Sequence, residues 1–344
     1  EESSSASDVS ESSKGVLAMS RIVTVITYHF VRDLSNSRYP GIKALPIDHF
    51  REQITYIRKY YEPIRIQDLL SALQNGQRGL PRNAILLTFD DGYIDHYLNV
   101  FPILDEFKIQ GVFFPPVRAV TEYRVLDVNK IHFVLASVAE KTRIVEFIFD
   151  SLNRYRKEIA LPDNQTLYKK LAVANRFDGP EVIFIKRILQ RELPEKVRNE
   201  LVDRLFRKYV TEDEKAFSRE LYMTPDQLRC LARNGMWIGS HGYDHYWLDS
   251  LGAADQEREI NLSLEFLNEI NGKDRPWVIS YPYGAFNRPL VELLRRKGCG
   301  AGFSTETEIA DLGARDPLLL PRLDTNDLPK DRNAPPNEWT RRVM

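Results

Sequence analysis

The run Ile85-Leu86-Leu87-Thr88-Phe89, followed at once by Asp90-Asp91-Gly92, constrains this chain more than any other stretch. An apolar segment of strand type ends on two adjacent carboxylates and a glycine. Neighbouring side chains on a strand point to opposite faces, so the two aspartates cannot both enter the core. Two like charges this close are also costly unless a cation lies beside them. Gly92 lets the backbone turn sharply just beyond. Alone, Asp-Asp-Gly reads as a solvated turn. A second cluster far along the chain, Ser240-His241-Gly242-Tyr243-Asp244-His245, weighs against that reading. Two histidines four apart plus a carboxylate make a three-ligand set of the kind catalytic metals use, with positions left open for water.

The surrounding pattern predicts a parallel α/β architecture. Ile22–Thr27 is a β-branched run that reads as a buried strand and ends in Tyr28-His29-Phe30. Asp48 caps a helix carrying Phe50, Ile54 and Ile57 on one face. A short strand at Ile64–Ile66 and a second helix follow. Beyond Gly92 a helix runs from about Tyr93 to Phe107, interrupted at Pro102, and leads to a strand at Val112–Phe114. Strand–helix–strand alternation of this kind belongs to parallel sheets. From 119 to 221 strand patterns vanish and only helical spacing remains, as in Ile144, Ile148 and Leu152. The alternation then resumes with a capped helix at Thr224-Pro225. Strands follow at Met236–Gly239, Trp277–Ser280, Gly300–Ser304 and Leu318–Asp324.

Composition narrows the function. The 344 residues carry a net charge of −1, so no global field recruits nucleic acid or an anionic membrane. No apolar run approaches the roughly 20 residues of a membrane span. Cys230 and Cys299 are too few and too far apart for a disulfide framework and read as buried apolar residues. There is no G-x-S-x-G to support a serine hydrolase. Residues 1–18 are Ser-rich and acidic and are expected to be a disordered leader without a signal-peptide core. Met19 reads as a natural start. The expected location is cytoplasmic, with export after signal removal as the alternative. Residues 326–344 are rich in Pro, Asn and charge and read as a C-terminal tail. Nothing in the sequence sets the oligomeric state.

Thr88-Phe89-Asp90-Asp91-Gly92, the H-x-x-x-H of His241 and His245, and the later Tyr281-Pro282-Tyr283-Gly284 resemble the three leading motifs of the polysaccharide deacetylases. This is carbohydrate esterase family 4, the NodB homology domain. The resemblance implies a distorted (β/α) barrel of about seven strands, built from 19–118 and 222–325, with 119–221 as a helical insertion. It implies that Asp90 is the general base and that Asp91, His241 and His245 bind a divalent metal. That ligand set suits zinc, and cobalt, nickel or iron would also fit. It further implies that the backbone N–H of Tyr283 helps hold the oxyanion.

Three positions depart from the family pattern. Gly242 stands where a Ser or Thr usually follows the first histidine, and Ser280 stands where an Arg usually precedes the third motif's proline by two. No histidine follows His245, although the family's general acid normally lies in a late L-x-H motif. Thr27-Tyr28-His29-Phe30-Val31 resembles the N-terminal strand of a permuted branch, the biofilm poly-N-acetylglucosamine deacetylases, where the first strand supplies that acid. This makes His29 the candidate acid, against the plain alternative of a structural histidine. Arg322 is the candidate to replace the missing arginine beside Asp90, against the alternative of an ordinary surface pair. Asp95, His96 and His49 read as exposed helix positions, Asp244 as a turn residue, and His132 as lacking partners.

The expected activity is metal-dependent removal of an N-acetyl group from an amino sugar, an activated or lipid-linked intermediate of surface-glycan synthesis. The alternatives are an exported deacetylase of poly-N-acetylglucosamine type and a non-catalytic sugar-binding member of the family.

Overall fold

The computed structural model describes residues 21–75, 79–175, 178–273 and 275–344; the leader expected over 1–18 lies outside them. The strands among the described residues are β1 (Ile22–Tyr28), β2 (Glu62–Pro63), β3 (Ala84–Asp90), β4 (Gly111–Phe114), β5 (Trp237–Ile238), β6 (Trp277–Ser280), β7 (Cys299–Phe303), β8 (Ala310–Asp311) and β9 (Leu323–Asp324). β1 pairs in parallel with β3, β3 with β4, β4 with β5, and β6 with β7. Single parallel bridges, Ser240 with Ile279 and Phe303 with Leu320, join the pieces, and β9 returns in parallel to β1. The ring β1-β3-β4-β5-β6-β7-β9 is thus closed, and its two one-residue joints make it a distorted barrel. β2 extends β3 at its start, and β8 runs antiparallel to the start of β1.

Val25, Leu86, Phe114, Trp237, Val278, Phe303 and Leu320, one from each stave, belong to a single buried cluster. This is the barrel interior. Alternation places the next inward positions at Thr27, Thr88 and Asp90, Ser280 and Arg322. A wholly apolar plug therefore carries a polar layer at the end where the parallel strands finish. Helices coat the outside, with Phe50, Ile54 and Ile57 of helix Ile47–Tyr60 buried as their spacing predicts.

The segment 119–221 is helical, including Asp127–Ser137, Lys141–Tyr155, Glu195–Tyr209 and Glu214–Leu221. Both its ends are tied to the barrel mouth. The Arg118 N–H donates to the Tyr243 carbonyl at 2.9 Å, and the Met223 N–H donates to the Gly92 carbonyl at 2.9 Å.

Two local readings are corrected. Asp95 and His96 are buried. The turn after β3 continues into a π-helical segment, His96–Val100, before the α-helix Phe101–Phe107. The wider turn brings both side chains back under the end of β1. There Asp95 accepts from the Val31 N–H at 3.2 Å and from Arg32 at 2.8 and 2.9 Å, and the His96 Nε2–H donates to the His29 carbonyl at 2.8 Å. Residues beyond 326, read as a tail, pack on helix Ile47–Tyr60. Thr340 is fully buried against the hydroxyls of Tyr56 and Tyr61, and Gln53 donates to the carbonyls of Thr325 and Leu328. Pro and Asn content marked an irregular path, not a loose one. The two cysteines are free and half-buried.

Candidate metal and catalytic site

Asp90 closes β3 and points inward on the apolar plug. Its two oxygens accept from Arg322 Nη1 at 3.0 Å and Nη2 at 2.8 Å, a bidentate fork in which both side chains are nearly fully buried. Ser280 Oγ donates at 3.0 Å, and Thr27 Oγ1 lies 3.5 Å away. Arg322 is itself held by Thr88 Oγ1 at 3.2 Å and the Ser304 carbonyl at 3.1 Å. Burial alone would raise the Asp90 carboxyl. The Arg322 guanidinium and the nearby His241 outweigh it and bring the group down to about 2. The surface-pair alternative for Arg322 is thereby removed. Ser280, at the position of the missing arginine, still contacts Asp90.

Asp91 is reached by a left-handed turn, φ 72° at Asp91 and 67° at Gly92. A Cβ on Gly92 would lie 2.8 Å from the Pro115 Cβ, so only glycine fits there. The turn gives the Asp91 carboxylate different bonding partners from Asp90. Oδ2 accepts from the Tyr93 hydroxyl. Oδ1 is buried and has no hydrogen-bond donor. It faces Nε2 of His241 at 3.4 Å and Nε2 of His245 at 3.3 Å. The His241 Nδ1–H donates to the Ser280 carbonyl at 2.7 Å, which leaves the Nε2 lone pair turned toward Asp91. One ligand atom from each of the three residues lies within 4.8 Å of the others. A buried anionic oxygen and imidazole nitrogens gathered this way fit a divalent cation, and the N,N,O set suits zinc.

The histidine loop is held by a residue sequence reasoning missed. Glu259, on helix Ala253–Asn271, accepts from the N–H groups of Tyr243 and Asp244, both at 3.0 Å. This buried carboxylate supplies the loop anchoring that a hydroxyl at position 242 would give. Gly242 itself has φ 73° and donates its N–H to Ser240 Oγ at 3.2 Å. The available signal was a carboxylate on the inward stripe of that helix, between Gln256 and Ser263. Among the described residues, three of the five non-glycine positions with positive φ are Asp91, His245 and Tyr283, so backbone strain concentrates at this mouth.

A second missed group supports Asp91 from the helical segment. Asn129 Nδ2 donates to the Tyr93 hydroxyl at 2.7 Å, and the Tyr222 hydroxyl donates to Asn129 Oδ1. The Leu126 N–H, in turn, donates to the Tyr222 hydroxyl at 3.0 Å. Tyr283 lies edge-on to His245, ring centres 4.7 Å apart, and stacks on Trp247 at 4.3 Å. His29 sits just past β1 on the inward parity of Val25 and Thr27 and is exposed at the mouth.

A parallel barrel that gathers two carboxylates and two imidazoles at its strand ends defines an enzyme of the class that places its chemistry at the barrel mouth. The polysaccharide deacetylase family model matches residues 77–147 and 200–301, half of the chain, and the chain belongs to that family. An Escherichia coli K12 protein described as poly-β-1,6-N-acetyl-D-glucosamine N-deacetylase is 36% identical over 92 residues, which are 26% of this chain and 13% of that protein. The chain thus matches only a small part of that curated relative's length. Among solved structures, the Streptococcus pyogenes deacetylase PplD in complex with acetate superposes with a TM-score of 0.55 at 15% identity, covering 88% of this chain and 92% of that one. IcaB from Ammonifex degensii superposes with a TM-score of 0.53 at 19% identity, covering 94% and 95%. These superpositions establish the distorted barrel.

Proposed function

We propose that this chain is a metal-dependent N-deacetylase that hydrolyses the N-acetyl group of an amino sugar. The observation that carries the reading is the donor-less Asp91 Oδ1 facing two imidazole nitrogens, beside a second carboxylate, Asp90, held as an anion.

Asp91, His241 and His245 would hold the ion, which when bound supplies polarisation of the acyl oxygen and acidification of water at that spot. Asp90 removes the proton as water attacks the acyl carbon. Its low basicity restricts it to water already made acidic, and the Arg322 fork keeps it ionised and oriented. The Tyr283 backbone N–H donates to the oxygen that becomes negative. His29 delivers a proton to the sugar nitrogen as the C–N bond breaks, so that an amine and acetate leave. Ser280 and Thr27 fix the position of Asp90.

Two substrates fit this chemistry. One is an activated or lipid-linked intermediate of surface-glycan synthesis. The other is a polymer of poly-N-acetylglucosamine type, supported by the match to the Escherichia coli protein. Acetate release, measured across activated, lipid-linked and polymeric N-acetylated sugars with and without added zinc, tests the reading. Release from at least one substrate that stops on chelation supports it. A protein that binds these sugars and releases no acetate from any of them is a non-catalytic member.

A further inference from the structure

Two cavities flank the mouth, and their charges differ. The one of about 170 Å³ beside His245, Trp247 and Tyr283 is lined by Arg118, Arg124, Lys130 and Arg198 against Asp127, Glu195, Asp203 and Asp244. Four cations meet four carboxylates, and the groups pair: Lys130 with Asp203 at 2.5 Å, Arg118 with Asp244. This cavity is neutral.

The second cavity, about 690 Å³, opens beside His29 and Tyr93. Among the described residues lining it are Lys43, Lys141, Lys186 and Lys330 against only Asp178 and Asp324, four positive charges against two negative. Asp178 is shared, with Oδ1 taken by Lys43 at 2.6 Å and Oδ2 by Lys186 at 2.7 Å. Asp178 thus bridges two ammonium groups. Lys141 is held by neutral groups, the carbonyls of Leu135 and Val138 at the end of helix Asp127–Ser137. Lys330 donates to Asn326 Oδ1 at 2.5 Å, and Asp324 accepts from the N–H and side-chain amide of the same Asn326. Burial lowers the pKa of both Lys141 and Lys330, and Asp324 partly offsets this at Lys330. Among the described residues that line this concavity the net charge is +2, in a chain whose total is −1. The volume lies in the range of small-molecule sites, and the cavity borders both the proposed proton donor and the tyrosine bonded to Asp91.

We propose that the lysine-lined cavity binds an anionic group of the sugar substrate, a phosphate or a carboxylate carried next to the N-acetylated residue. The proposal rests on the deacetylase reading for the identity of the sugar. The anion itself is argued from the lysine excess alone. Lys186 and Lys141 meet the charged oxygens, and the sugar extends past His29 so that its acetamido group reaches Asp90 and Asp91.

The test is calorimetric binding to the full chain, as purified and after chelation, at low and at 0.5 M salt. The probes are N-acetylglucosamine, N-acetylglucosamine 1-phosphate and an N-acetylated uronic acid, with inorganic phosphate alongside. At low salt the charged sugars bind roughly tenfold more tightly than the neutral one, and the preference shrinks as salt screens it. It survives chelation and falls several-fold in Lys186→Gln and Lys141→Gln, each checked for an unchanged melting point. Whichever of phosphate and carboxylate binds better names the source of the anion. Equal affinities in the parent protein, or a preference that vanishes on chelation, overturn the proposal without reference to any variant. Acetate release, assayed separately, reports on the deacetylase reading, so the two fail independently.

Discussion

The Asp90 and Asp91 sides of the mouth are one peptide bond apart and opposite in design. Around Asp90 every contact donates: a guanidinium fork, a serine hydroxyl and a threonine hydroxyl. Around Asp91 one oxygen has a single donor and the other meets two imidazole nitrogens. A carboxylate supplied with donors is a fixed charge, whereas one facing lone pairs waits for a cation. The left-handed turn at Asp91 and Gly92 separates the two roles by sending the carboxylates to different neighbours.

The largest effect expected is on the Asp91 side. His241→Ala, or exhaustive chelation of the parent, should lower acetate release by on the order of 10³-fold or more, with loss of about one metal per chain by elemental analysis. Activity that persists in the chelated protein breaks the comparison. Asp90→Asn should retain the metal and lose roughly 10²–10⁴-fold in rate. Loss of metal in that variant, with an active Asp91→Asn, would reverse the two roles. His29→Ala should keep the metal and lower kcat by roughly 10²-fold with little change in KM. Retained kcat would return His29 to a structural part.

Arg322→Met should destabilise the fold by about 3–5 kcal/mol, because it leaves Asp90 buried and unpaired. In the parent, Asp90 has a folded pKa of about 2, below the unfolded value of roughly 4. Its contribution is therefore complete above pH about 4 and disappears as pH falls through about 2. Denaturant midpoints across that window should slope in the parent. In Arg322→Met the main opponent of burial is gone, the folded carboxyl takes up its proton at higher pH, and the loss moves upward. An unchanged pH profile would show that the fork does not set the charge of Asp90. The smallest effect belongs to Tyr93→Phe, which removes the donor on Asp91 Oδ2 and should weaken metal affinity by roughly 10–100-fold. Competition with a chromophoric chelator measures it.

The strand ends were legible because they are local. The β-branched run of β1 and the Leu-rich run of β3 stop where their pattern stops, and the second histidine cluster follows a third such run. Asp90, Asp91, His241 and His245 could be named as a group for that reason. The Arg322 fork spans 232 residues, and only barrel closure brings it to Asp90. Glu259 and Asn129 act on backbone and side chains far off in sequence, so their helices advertise nothing beyond a polar residue on a buried face. His96 was misread because a π-helical turn rotated it inward, and hydrophobic periodicity assumes regular turns. The packed C-terminus was missed because its anchors, Thr340 and Leu328, are too few to make a pattern.

The hydrogen-bond chain from Tyr222 through Asn129 and Tyr93 to Asp91 has a consequence for how this protein unfolds and diversifies. An insertion joined only by its two connections could melt, swell or be exchanged while the barrel stayed intact. Here the helix Asp127–Ser137, through Asn129, and Tyr222, just past the helical segment, share buried polar groups with the turn that carries Asp91. Opening the helical segment 119–221 exposes those groups, so native-state hydrogen exchange should find the helix Asp127–Ser137 and the turn at Asp91 opening as one cooperative unit. A lineage that swapped this segment for another would have to rebuild the support of Asp91 in the same step. The helices are thereby bound to the chemistry as inheritance as well as in space.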